Sequence, residues 1–367
     1  MAVTAVTTVA IVGAGIAGLA AAWDLQRAGV AVTLLESERR AGGVIVTERR
    51  DGFVVEGGPD GFLAAELDLP ALARELGIAD RLVDQLARGA AVWTGSRFEP
   101  LAEGSAAALL GIEVRGEELG AGFRSFADGM AVVVEALVAR LGPAMRTAAG
   151  VSAISPSARG YRLTLPGGSA ADADGVILTL PAFAAARLLA ALGVSPARAL
   201  GEVVYQPSVT VSLAYRSDQL GEPLEGTGFV VAATAPGAVR ACTYASAKYP
   251  GRAPAGHMLL RAFLAPSDGE PGALAHAELA PLLRITGAPL WTRAFHWPHG
   301  LPRYEAHHAA RVARVRERLA RLAPIAIAGA GCDGAGVSAC VRSGRQAARE
   351  VVNRLASASQ FPRSAPR

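Results

Sequence analysis

Lysine is the residue that this 367-residue chain most conspicuously lacks, because all but one of its 36 basic residues, Lys248, are arginine. The arginines are scattered among acidic residues, and no run of like charge occurs. A nucleic-acid-binding domain would concentrate its positive charge on one face or along one segment. The formal net charge of +4 therefore reflects a bias in composition, and we expect no nucleic-acid partner.

Cysteine is also scarce. The chain has Cys242, Cys332 and Cys340, with no C-x-x-C pair. This spacing excludes a disulfide framework and favours a reducing compartment, so we expect a cytoplasmic protein. We expect Cys332 and Cys340 to be small buried residues rather than a bonded pair.

A membrane span or a signal peptide could be suspected at residues 1–23, which carry no charged side chain. Gly13, Gly15 and Gly18 interrupt this stretch, however, and no basic segment precedes it. A buried strand, a turn and a helix explain the same residues better.

Metal and hydrolase sites also find little support. The four histidines between positions 296 and 308 are close in sequence, but His307 and His308 are adjacent and would point apart on a helix. We therefore expect no metal site, with packing as the alternative role of these histidines. No G-x-S-x-G motif occurs, which argues against a hydrolase nucleophile.

Glycine is abundant, and its first cluster forms a nucleotide-binding motif. Residues 13–18, GAGIAG, fit G-x-G-x-x-G between an apolar run, TTVAIVG, and a helical pattern. Gly13 allows a tight turn, Gly15 lets the backbone approach a pyrophosphate, and Gly18 lets helix and strand pack closely. Glu36 ends the next strand, where a carboxylate can bind ribose hydroxyls. This context predicts a βαβ unit that binds an adenine dinucleotide, either FAD or NAD.

A second glycine cluster favours FAD. Arg40, Gly42 and Gly43 follow Glu36 closely, and the run Gly57-Gly58-Pro59-Asp60 comes soon after. A nicotinamide dehydrogenase has no evident need for these residues. FAD held in an extended form does need them, since the backbone must pass close to its flavin ring.

The predicted fold class is α/β, with a Rossmann-like FAD-binding domain and a second domain built on a mixed or antiparallel sheet. Short strands separated by Gly/Pro turns fill residues 203–265, whereas the strand IAIAGA and the last helix should return to the first domain, beside its glycine turn. The predicted boundaries are 1–90, 123–202 and 297–357 for the FAD-binding domain, 91–122 and 203–296 for the substrate domain, and 358–367 for a tail.

A series of motifs makes the chain resemble the flavin-dependent amine-oxidase superfamily. Within it, the chain resembles the protoporphyrinogen and coproporphyrinogen oxidases of haem biosynthesis in Gram-positive and related bacteria. The matching stretches, in the family's order, are GAGIAGLAAAWDL, RAGGVIVT, DGFVVEGGPDGFL, FRSFADGMAVVVEAL, EGTGFVVA, ACTYASAKYPGRAP, LLRAFL, WPHGLPRY with His308, and GAGCDGAGVSACVRSGRQAA.

The resemblance implies a complete site for non-covalently bound FAD. Val151 would meet the adenine, Trp297 would pack by the flavin ring, and the helix that starts near Ser338 would stabilise negative charge on the reduced flavin. Val44 replaces a Lys or Arg that is common in relatives. The implied cofactor-binding residues are Gly13, Ala14, Gly15, Ile16, Ala17, Gly18, Glu36, Ser37, Arg40, Gly42, Gly43, Val44, Gly58, Pro59, Asp60, Gly61, Val151, Trp297, Val337, Ser338 and Ala339.

The helical cap of the family's substrate domain is largely lost. Only 24 residues, 99–122, join Phe98 to Phe123, which leaves room for one short helix. The remaining pocket wall would use Leu63, Phe229 and Phe263, for which ordinary core packing is an equal alternative. We expect weak or absent membrane contact, and a second copy or a partner protein could cover the open pocket.

The resemblance implies an FAD-dependent oxidase that converts a porphyrinogen to the porphyrin in three oxidations, with oxygen as acceptor and no catalytic acid or base. Lys248 is expected in a surface loop, so the lysine near the flavin of many amine oxidases is missing, which favours the tetrapyrrole branch. Two alternatives stay open: a compact amine oxidase or desaturase, and a non-catalytic flavin or tetrapyrrole binder.

Overall fold

The computed structural model describes residues 7–101 and 120–360, with side chains described as far as Ser357. The helices are α1 (Ile16–Arg27), α2 (Asp68–Leu76), α3 (Ala131–Leu141), α4 (Ala182–Ala191), α5 (Arg198–Gly201), α6 (Ala245–Lys248), α7 (Pro271–Leu282), α8 (His308–Leu319), α9 (Ala330–Asp333) and α10 (Val337–Gln360). Most of the expected cap segment, residues 102–119, lies outside the described residues.

The strands are β1 (Thr8–Val12), β2 (Ala31–Leu35), β3 (Thr47–Arg50), β4 (Phe53–Glu56), β5 (Phe62–Leu63), β6 (Leu82–Asp84), β7 (Ala90–Trp93), β8 (Phe98–Leu101), β9 (Phe123–Phe126), β10 (Met145–Arg146), β11 (Ala153–Pro156), β12 (Tyr161–Thr164), β13 (Ala170–Ala173), β14 (Gly175–Leu178), β15 (Val204–Arg216), β16 (Gly228–Val231), β17 (Val239–Thr243), β18 (His257–Leu264), β19 (Trp291–Arg303) and β20 (Ile325–Ile327). They divide between two compact units, residues 1–43, 133–204 and 302–367, and residues 44–132 and 205–301.

The first unit is organised around a five-stranded parallel sheet with the order β10-β2-β1-β14-β20. β1 is almost fully buried, as expected for a central parallel strand that is covered on both faces. β1, α1 and β2 form the predicted βαβ unit, and α1 is followed by Gly29 in the left-handed conformation, with φ of 74°. The Rossmann-like part of the fold prediction is confirmed.

The C-terminal strand and helix return to this sheet, as the sequence predicts. β20 pairs with β14 in parallel, and β14 pairs with β1. α10 packs so closely on α1 that a Cβ on Gly344 would lie 2.0 Å from the Ala17 carbonyl oxygen. A glycine at this position therefore lets the last helix lie against the start of the first.

The second unit contains a seven-stranded mixed sheet with the order β19-β15-β18-β17-β16-β7-β8. Its pairs are antiparallel at β15–β18, β17–β18, β16–β17 and β7–β8, and parallel at β16–β7. The predicted strands of residues 203–265 are present here. β19 and α7, which the sequence analysis did not identify, complete this unit.

The compact units divide the chain differently from the predicted domains at residues 44–90 and 123–132, which are predicted in the FAD-binding domain. In the structure they belong to the second unit. β3 and β4 form a hairpin whose turn residues, Asp51 and Gly52, both have positive φ. The hairpin then continues into Glu56 and Gly57, whose hydrogen bonds are to second-unit residues.

Candidate functional site

The early turn, Gly13–Gly18, is held by close backbone packing in the first unit. Gly13 has φ of 105°, and its carbonyl oxygen accepts a hydrogen bond from Thr179 Oγ1 at 2.7 Å. A Cβ on Gly18 would lie 2.0 Å from that same carbonyl oxygen. No side chain fits there without moving backbone, which is the close helix–strand packing predicted for Gly18.

Gly15 differs from Gly13 and Gly18 because no contact within the protein requires a glycine at this position. Its φ of −67° suits any residue, and a Cβ would meet no atom within 4 Å. It precedes α1, whose first N–H groups have no partner inside the helix. Open space beside a helix N-terminus is the geometry that lets a phosphate approach the backbone.

The Glu36 carboxylate lies where β2 ends, and it is 9% exposed. Oε2 accepts from the Ala14 N–H at 2.7 Å, and Oε1 accepts from the Glu38 N–H at 2.9 Å and from Ser37 Oγ at 3.1 Å. A carboxylate offers about four lone-pair positions, so it retains capacity for a ribose hydroxyl. The side chain thus links the early turn to the end of β2.

The predicted residues 40–43 lie against the early turn. The Gly42 N–H donates to the Ala14 carbonyl at 2.8 Å, and a Cβ on Gly43 would lie 3.4 Å from Gly15 Cα. Exposed Arg40 donates through Nη2 to the Gly43 carbonyl at 2.6 Å. The structure therefore brings these residues together within the first unit. Val151 is half-buried in the same unit, and Val44, the first residue of the second unit, is 43% exposed.

A late turn, residues Gly329–Gly336, connects β20 to α10. Ser343 Oγ accepts from the Gly329 N–H at 2.8 Å and donates to the Asp333 carboxylate, which also pairs with Arg316 at 2.7 Å. His308 donates through Nε2 to the Cys332 carbonyl at 3.3 Å. These side chains fix the backbone that leads into the last helix.

The start of α10 carries the predicted residues Val337, Ser338 and Ala339, all buried. Ser338 is fully buried, and its Oγ has no hydrogen-bond partner within the part of the chain that the structure describes. A buried hydroxyl normally has a partner, so this one fits a polar group of a ligand at the helix N-terminus.

The cysteines are all buried and free, as expected. Burial raises the pKa of the Cys332 thiol to about 12, with a smaller contribution from Asp333. Burial also raises the pKa of Cys242 well above its usual range. These thiols are protonated at neutral pH, so they are poor nucleophiles. Among the described residues, no group of three or more His, Cys, Asp or Glu side chains could hold a metal ion.

In the second unit, the Gly57 loop (residues Gly57–Gly61) contains the other predicted cofactor-binding segment. Three donors converge on the Gly57 carbonyl oxygen: Trp297 Nε1 at 2.8 Å, Thr210 Oγ1 at 3.2 Å and Arg261 Nη2 at 3.2 Å. A carbonyl oxygen has two lone pairs, so three donors saturate it. This peptide cannot rotate without breaking bonds from three strands of the sheet.

A buried charge network continues from the Gly57 loop. Ser125 Oγ donates to the Asp60 carbonyl at 2.7 Å and accepts from Arg252 Nη2 at 2.6 Å. Arg252 pairs with Glu56 at 3.4 Å, and their side chains are 2% and 4% exposed. Burial raises the pKa of Glu56, although Arg252 and two hydrogen bonds oppose this change.

A cavity of about 10 Å³ adjoins this network and is lined by Val54, Glu56, Asp60, Ser212, Ala245, Tyr249, Arg252, Leu259 and Arg261. Arg252 Nη1 and Arg261 Nε, both buried, have no hydrogen-bond partner in the described part of the chain. The cavity is about large enough for one water, which could accept from both guanidinium groups.

Lys248 corrects an expectation, because it does not lie in a surface loop. It ends the short helix α6, and its side chain is 12% exposed. Nζ pairs with Asp60 Oδ2 at 2.9 Å and lies 5.1 Å from the ring centroids of Phe123 and Tyr249. A carboxylate partner and two aromatic rings explain the burial of this charge.

The three predicted substrate contacts differ in exposure. Phe229 is 2% exposed and packs on Phe98 and Tyr244 in the core of the second unit, with ring centroids 5.0 and 6.2 Å away. This favours core packing for Phe229. Leu63 and Phe263 are half-buried, and the guanidinium of Arg261 lies 4.8 Å from the Phe263 ring centroid.

A profile of the family described as flavin containing amine oxidoreductase matches residues 16–109 and 90–352. The chain belongs to this family. The two matched stretches overlap at residues 90–109. The segment with the reduced helical cap, residues 99–122, begins within this overlap. Family and fold together make this amine oxidoreductase an FAD-dependent enzyme, as the sequence predicts.

This amine oxidoreductase is similar over almost all of its length to coproporphyrinogen III oxidases. It is 26% identical to the one from Bacillus subtilis (strain 168), with 95% of this chain and 98% of the relative covered over 467 positions. It is 22% identical to the one from Staphylococcus aureus (strain NCTC 8325 / PS 47), with 95% and 99% covered. The 467 positions exceed the 367 residues of this chain, so the B. subtilis protein has residues without a counterpart here.

Solved structures show the same fold. A protein from Exiguobacterium sp. 255-15 with the provisional name protoporphyrinogen oxidase has a TM-score of 0.81 at 26% identity, covering 94% of this chain and 98% of that one. Cyclohexylamine oxidase from Brevibacterium oxydans IH-35A has a TM-score of 0.75 at 16% identity, covering 95% and 99%. The second likeness concerns the fold alone.

The first unit of this amine oxidoreductase fits FAD on three observations. Gly15 opens to space at a helix start, Glu36 has spare acceptor capacity, and the Ser338 hydroxyl is buried without a partner among the described residues.

Among the helices of the described ranges, none combines the length and apolar character needed to cross a bilayer.

The sequence alone does not identify the residues that hold the Gly57 loop in this amine oxidoreductase. Arg261, Thr210 and Ser125 contact it through hydrogen bonds from other strands, and Arg252 acts on it through Ser125. One signal was present: Arg261 stands alone inside the apolar strand LLRAFL. A charged residue in such a strand needs a buried partner, although the sequence does not identify that partner.

Proposed function

We propose that this protein is an FAD-dependent oxidase of a porphyrinogen, either coproporphyrinogen III or protoporphyrinogen IX. The observation that carries the proposal is the likeness to coproporphyrinogen III oxidases across 95% of this chain. A chloroplastic protoporphyrinogen oxidase 1 from Arabidopsis thaliana is 29% identical over half of the chain, which leaves both porphyrinogens as candidates.

The first unit would hold the phosphates and the ribose. The N–H groups at the start of α1, beside Gly15, would bind the pyrophosphate, and the remaining lone pair of Glu36 would bind a ribose hydroxyl. The start of α10, with the Ser338 hydroxyl, would stabilise negative charge on the cofactor. Val151 would contact the adenine.

Redox chemistry belongs to the cofactor, and the protein supplies position and electrostatics. When bound, the flavin would supply the redox chemistry, the removal of hydride from bridging carbons of the porphyrinogen, with oxygen as the final acceptor. The saturated carbonyl of Gly57 would keep the loop Gly57–Gly61 rigid for this step. No side chain of the chain is proposed as a general acid or base.

Leu63 and Phe263, the half-buried candidates, would contact the macrocycle. Phe229 would contribute to the core behind them rather than to the contact surface. A second copy or a partner protein that covers the substrate, weak or absent membrane contact and a cytoplasmic location stay predictions.

The deciding experiment is anaerobic reduction of the purified flavoprotein. The protein should show a flavin spectrum that bleaches on addition of coproporphyrinogen III or protoporphyrinogen IX and recovers on admission of air, with porphyrin fluorescence appearing in step. The ratio of the two bleaching rates identifies the preferred porphyrinogen.

Other outcomes would contradict the proposal in distinct ways. Bleaching by amines alone would make the protein an amine oxidase. A bound flavin that no candidate substrate reduces would make it a binding protein. A colourless protein that takes up no FAD would contradict the whole assignment.

A further inference from the structure

Lys248 is the single lysine in a chain whose other basic residues are all arginine. Its position suits an ammonium better than a guanidinium. An ammonium is a compact point charge with three donors, whereas a guanidinium is a planar fork that needs more room. The side chain is 12% exposed, and the ring centroids of Phe123 and Tyr249 each lie 5.1 Å from Nζ.

The partner of Lys248 is the one charged side chain of the Gly57 loop, Asp60, at 2.9 Å. Burial acts to raise the pKa of Asp60, but the positive charge of Lys248, with help from Arg261 and Arg252, outweighs it and holds the pKa below its ordinary value. Asp60 therefore carries a negative charge throughout the neutral range, and the ion pair persists.

The rest of the Gly57 loop is held by its backbone. Three donors hold the Gly57 carbonyl, and Ser125 holds the Asp60 carbonyl. A Cβ on Gly58 would lie 1.7 Å from the Val44 carbonyl oxygen, and one on Gly61 would lie 2.2 Å from Tyr249 Oη. The Asp60 side chain has a restraint of its own, the ion pair with Lys248.

We infer that Lys248 is a positioning residue for the bound flavin, acting through Asp60 on the Gly57 loop. This inference rests on the proposed function and on the family resemblance, which gives Gly58–Gly61 as cofactor-binding residues. Lys248 does not exchange a proton or touch the substrate in this scheme. Its loss should change the environment of the flavin while leaving the phosphate-binding turn intact.

The first test compares Lys248→Met, Lys248→Arg and Asp60→Asn as FAD-loaded proteins. We expect Lys248→Met to weaken FAD binding by about tenfold, which corresponds to one partly buried ion pair. The flavin absorption maximum and the reduction potential should shift as well, which a loss of stability alone would not produce. Lys248→Arg, which keeps the charge, should restore part of the affinity.

A double-mutant comparison separates action through Asp60 from any other role. If Lys248 acts through Asp60, the variant Lys248→Met/Asp60→Asn should bind FAD no worse than the weaker single variant. Arg162→Met, which breaks the exposed Arg162–Asp172 pair on the β12–β13 hairpin, is the matched control and should leave the flavin properties unchanged.

The sole lysine also permits a test on the unsubstituted protein. Reductive methylation with ¹³C-formaldehyde keeps the charge and labels Lys248 as the only side-chain amine. We expect its dimethylamine NMR signal to shift when FAD binds. An unsubstituted protein that binds no FAD would contradict the proposed function. An unsubstituted protein that binds FAD with no shift of this signal, together with unchanged affinity and potential in Lys248→Met, would overturn the positioning role alone.

Discussion

The early turn and the Gly57 loop are both rich in glycine, but their backbone groups have hydrogen-bond partners of opposite charge. In the early turn, the Ala14 N–H donates a hydrogen bond to the Glu36 carboxylate, and the Thr179 hydroxyl donates one to the Gly13 carbonyl. In the Gly57 loop, carbonyl groups point inward and are met by donors that include the guanidinium of Arg261. A backbone N–H is thus paired with a buried negative charge in the early turn, and a backbone carbonyl with a buried positive charge in the Gly57 loop.

The two segments also differ in what fixes their shape. The early turn depends on direct backbone contact, since Gly18 lies against Gly13 with no space for a methyl group. The Gly57 loop depends on a network in which Arg252, Glu56 and Arg261 are each 5% exposed or less. Steric change should therefore damage both segments, since a Cβ on Gly58 would also meet backbone, at 1.7 Å from the Val44 carbonyl oxygen, whereas charge removal should damage the second segment more.

The largest effect should follow from Gly18→Ala in the early turn. Its Cβ would overlap the Gly13 carbonyl oxygen, so α1 must move away from β1. We expect the free energy of unfolding to fall by about 4 kcal/mol, with FAD binding lost. Chemical denaturation and flavin fluorescence measure the two quantities.

Gly15→Ala is the matched control for the Gly18 substitution. Its Cβ meets no protein atom within 4 Å, so the fold should keep its stability. FAD affinity should still fall by at least about tenfold, because the methyl group takes the space beside the helix start. Equal losses of stability in the two variants would contradict the steric account of this turn.

Arg252→Leu should lower the free energy of unfolding by less than Gly18→Ala, but still by a large amount. The buried Glu56 carboxylate would lose its cation, and Ser125 would lose a donor. We expect a cost of about 3 kcal/mol, measured by chemical denaturation, since breaking one partner of a buried pair leaves an uncompensated charge.

Adding Glu56→Gln to Arg252→Leu should recover part of that loss by removing the stranded charge. The exposed pair of Arg162 and Asp172 offers the comparison, and Arg162→Leu should leave stability unchanged. If Arg252→Leu were equally harmless, the Gly57 loop would not depend on buried charge.

The smallest expected effect is on the pH dependence of stability, through His308, which donates to the Cys332 carbonyl in the late turn. Burial lowers its pKa, and the nearby Cys332 carbonyl and Asp333 only partly oppose this. The unfolded chain therefore binds a proton near pH 6.5, which the folded chain binds only at lower pH. Stability should fall as pH decreases from about 6.5 through the lower pKa of the folded state.

Gln at position 308 can keep the donated hydrogen bond, because its amide nitrogen reaches about as far as Nε2, but it does not titrate. His308→Gln should thus flatten the dependence of melting temperature on pH between about 7 and 5. A slope identical to that of the unsubstituted protein would show that His308 does not contribute to it.

Much of the first unit could be predicted because its determinants are local in sequence. The spacing of Gly13, Gly15 and Gly18 between an apolar strand and a helix specifies a βαβ turn, and Glu36 follows at the end of the next strand. The hairpin at Asp51 and Gly52 carried a similarly local signal, since an Asp-Gly pair between strands favours a tight turn.

By itself, then, the sequence determined the fold class, the glycine turns, the FAD-dependent enzyme class and the burial of the cysteines. Only the tertiary structure decided the partners of the buried charges: that Lys248 pairs with Asp60, that Arg252 meets Glu56, and that Trp297, Thr210 and Arg261 meet at one carbonyl. The physical reason is range. Turn geometry and helix formation depend on residues a few positions apart, whereas these contacts join residues far apart in sequence, and no local pattern records which distant group will compensate a buried charge.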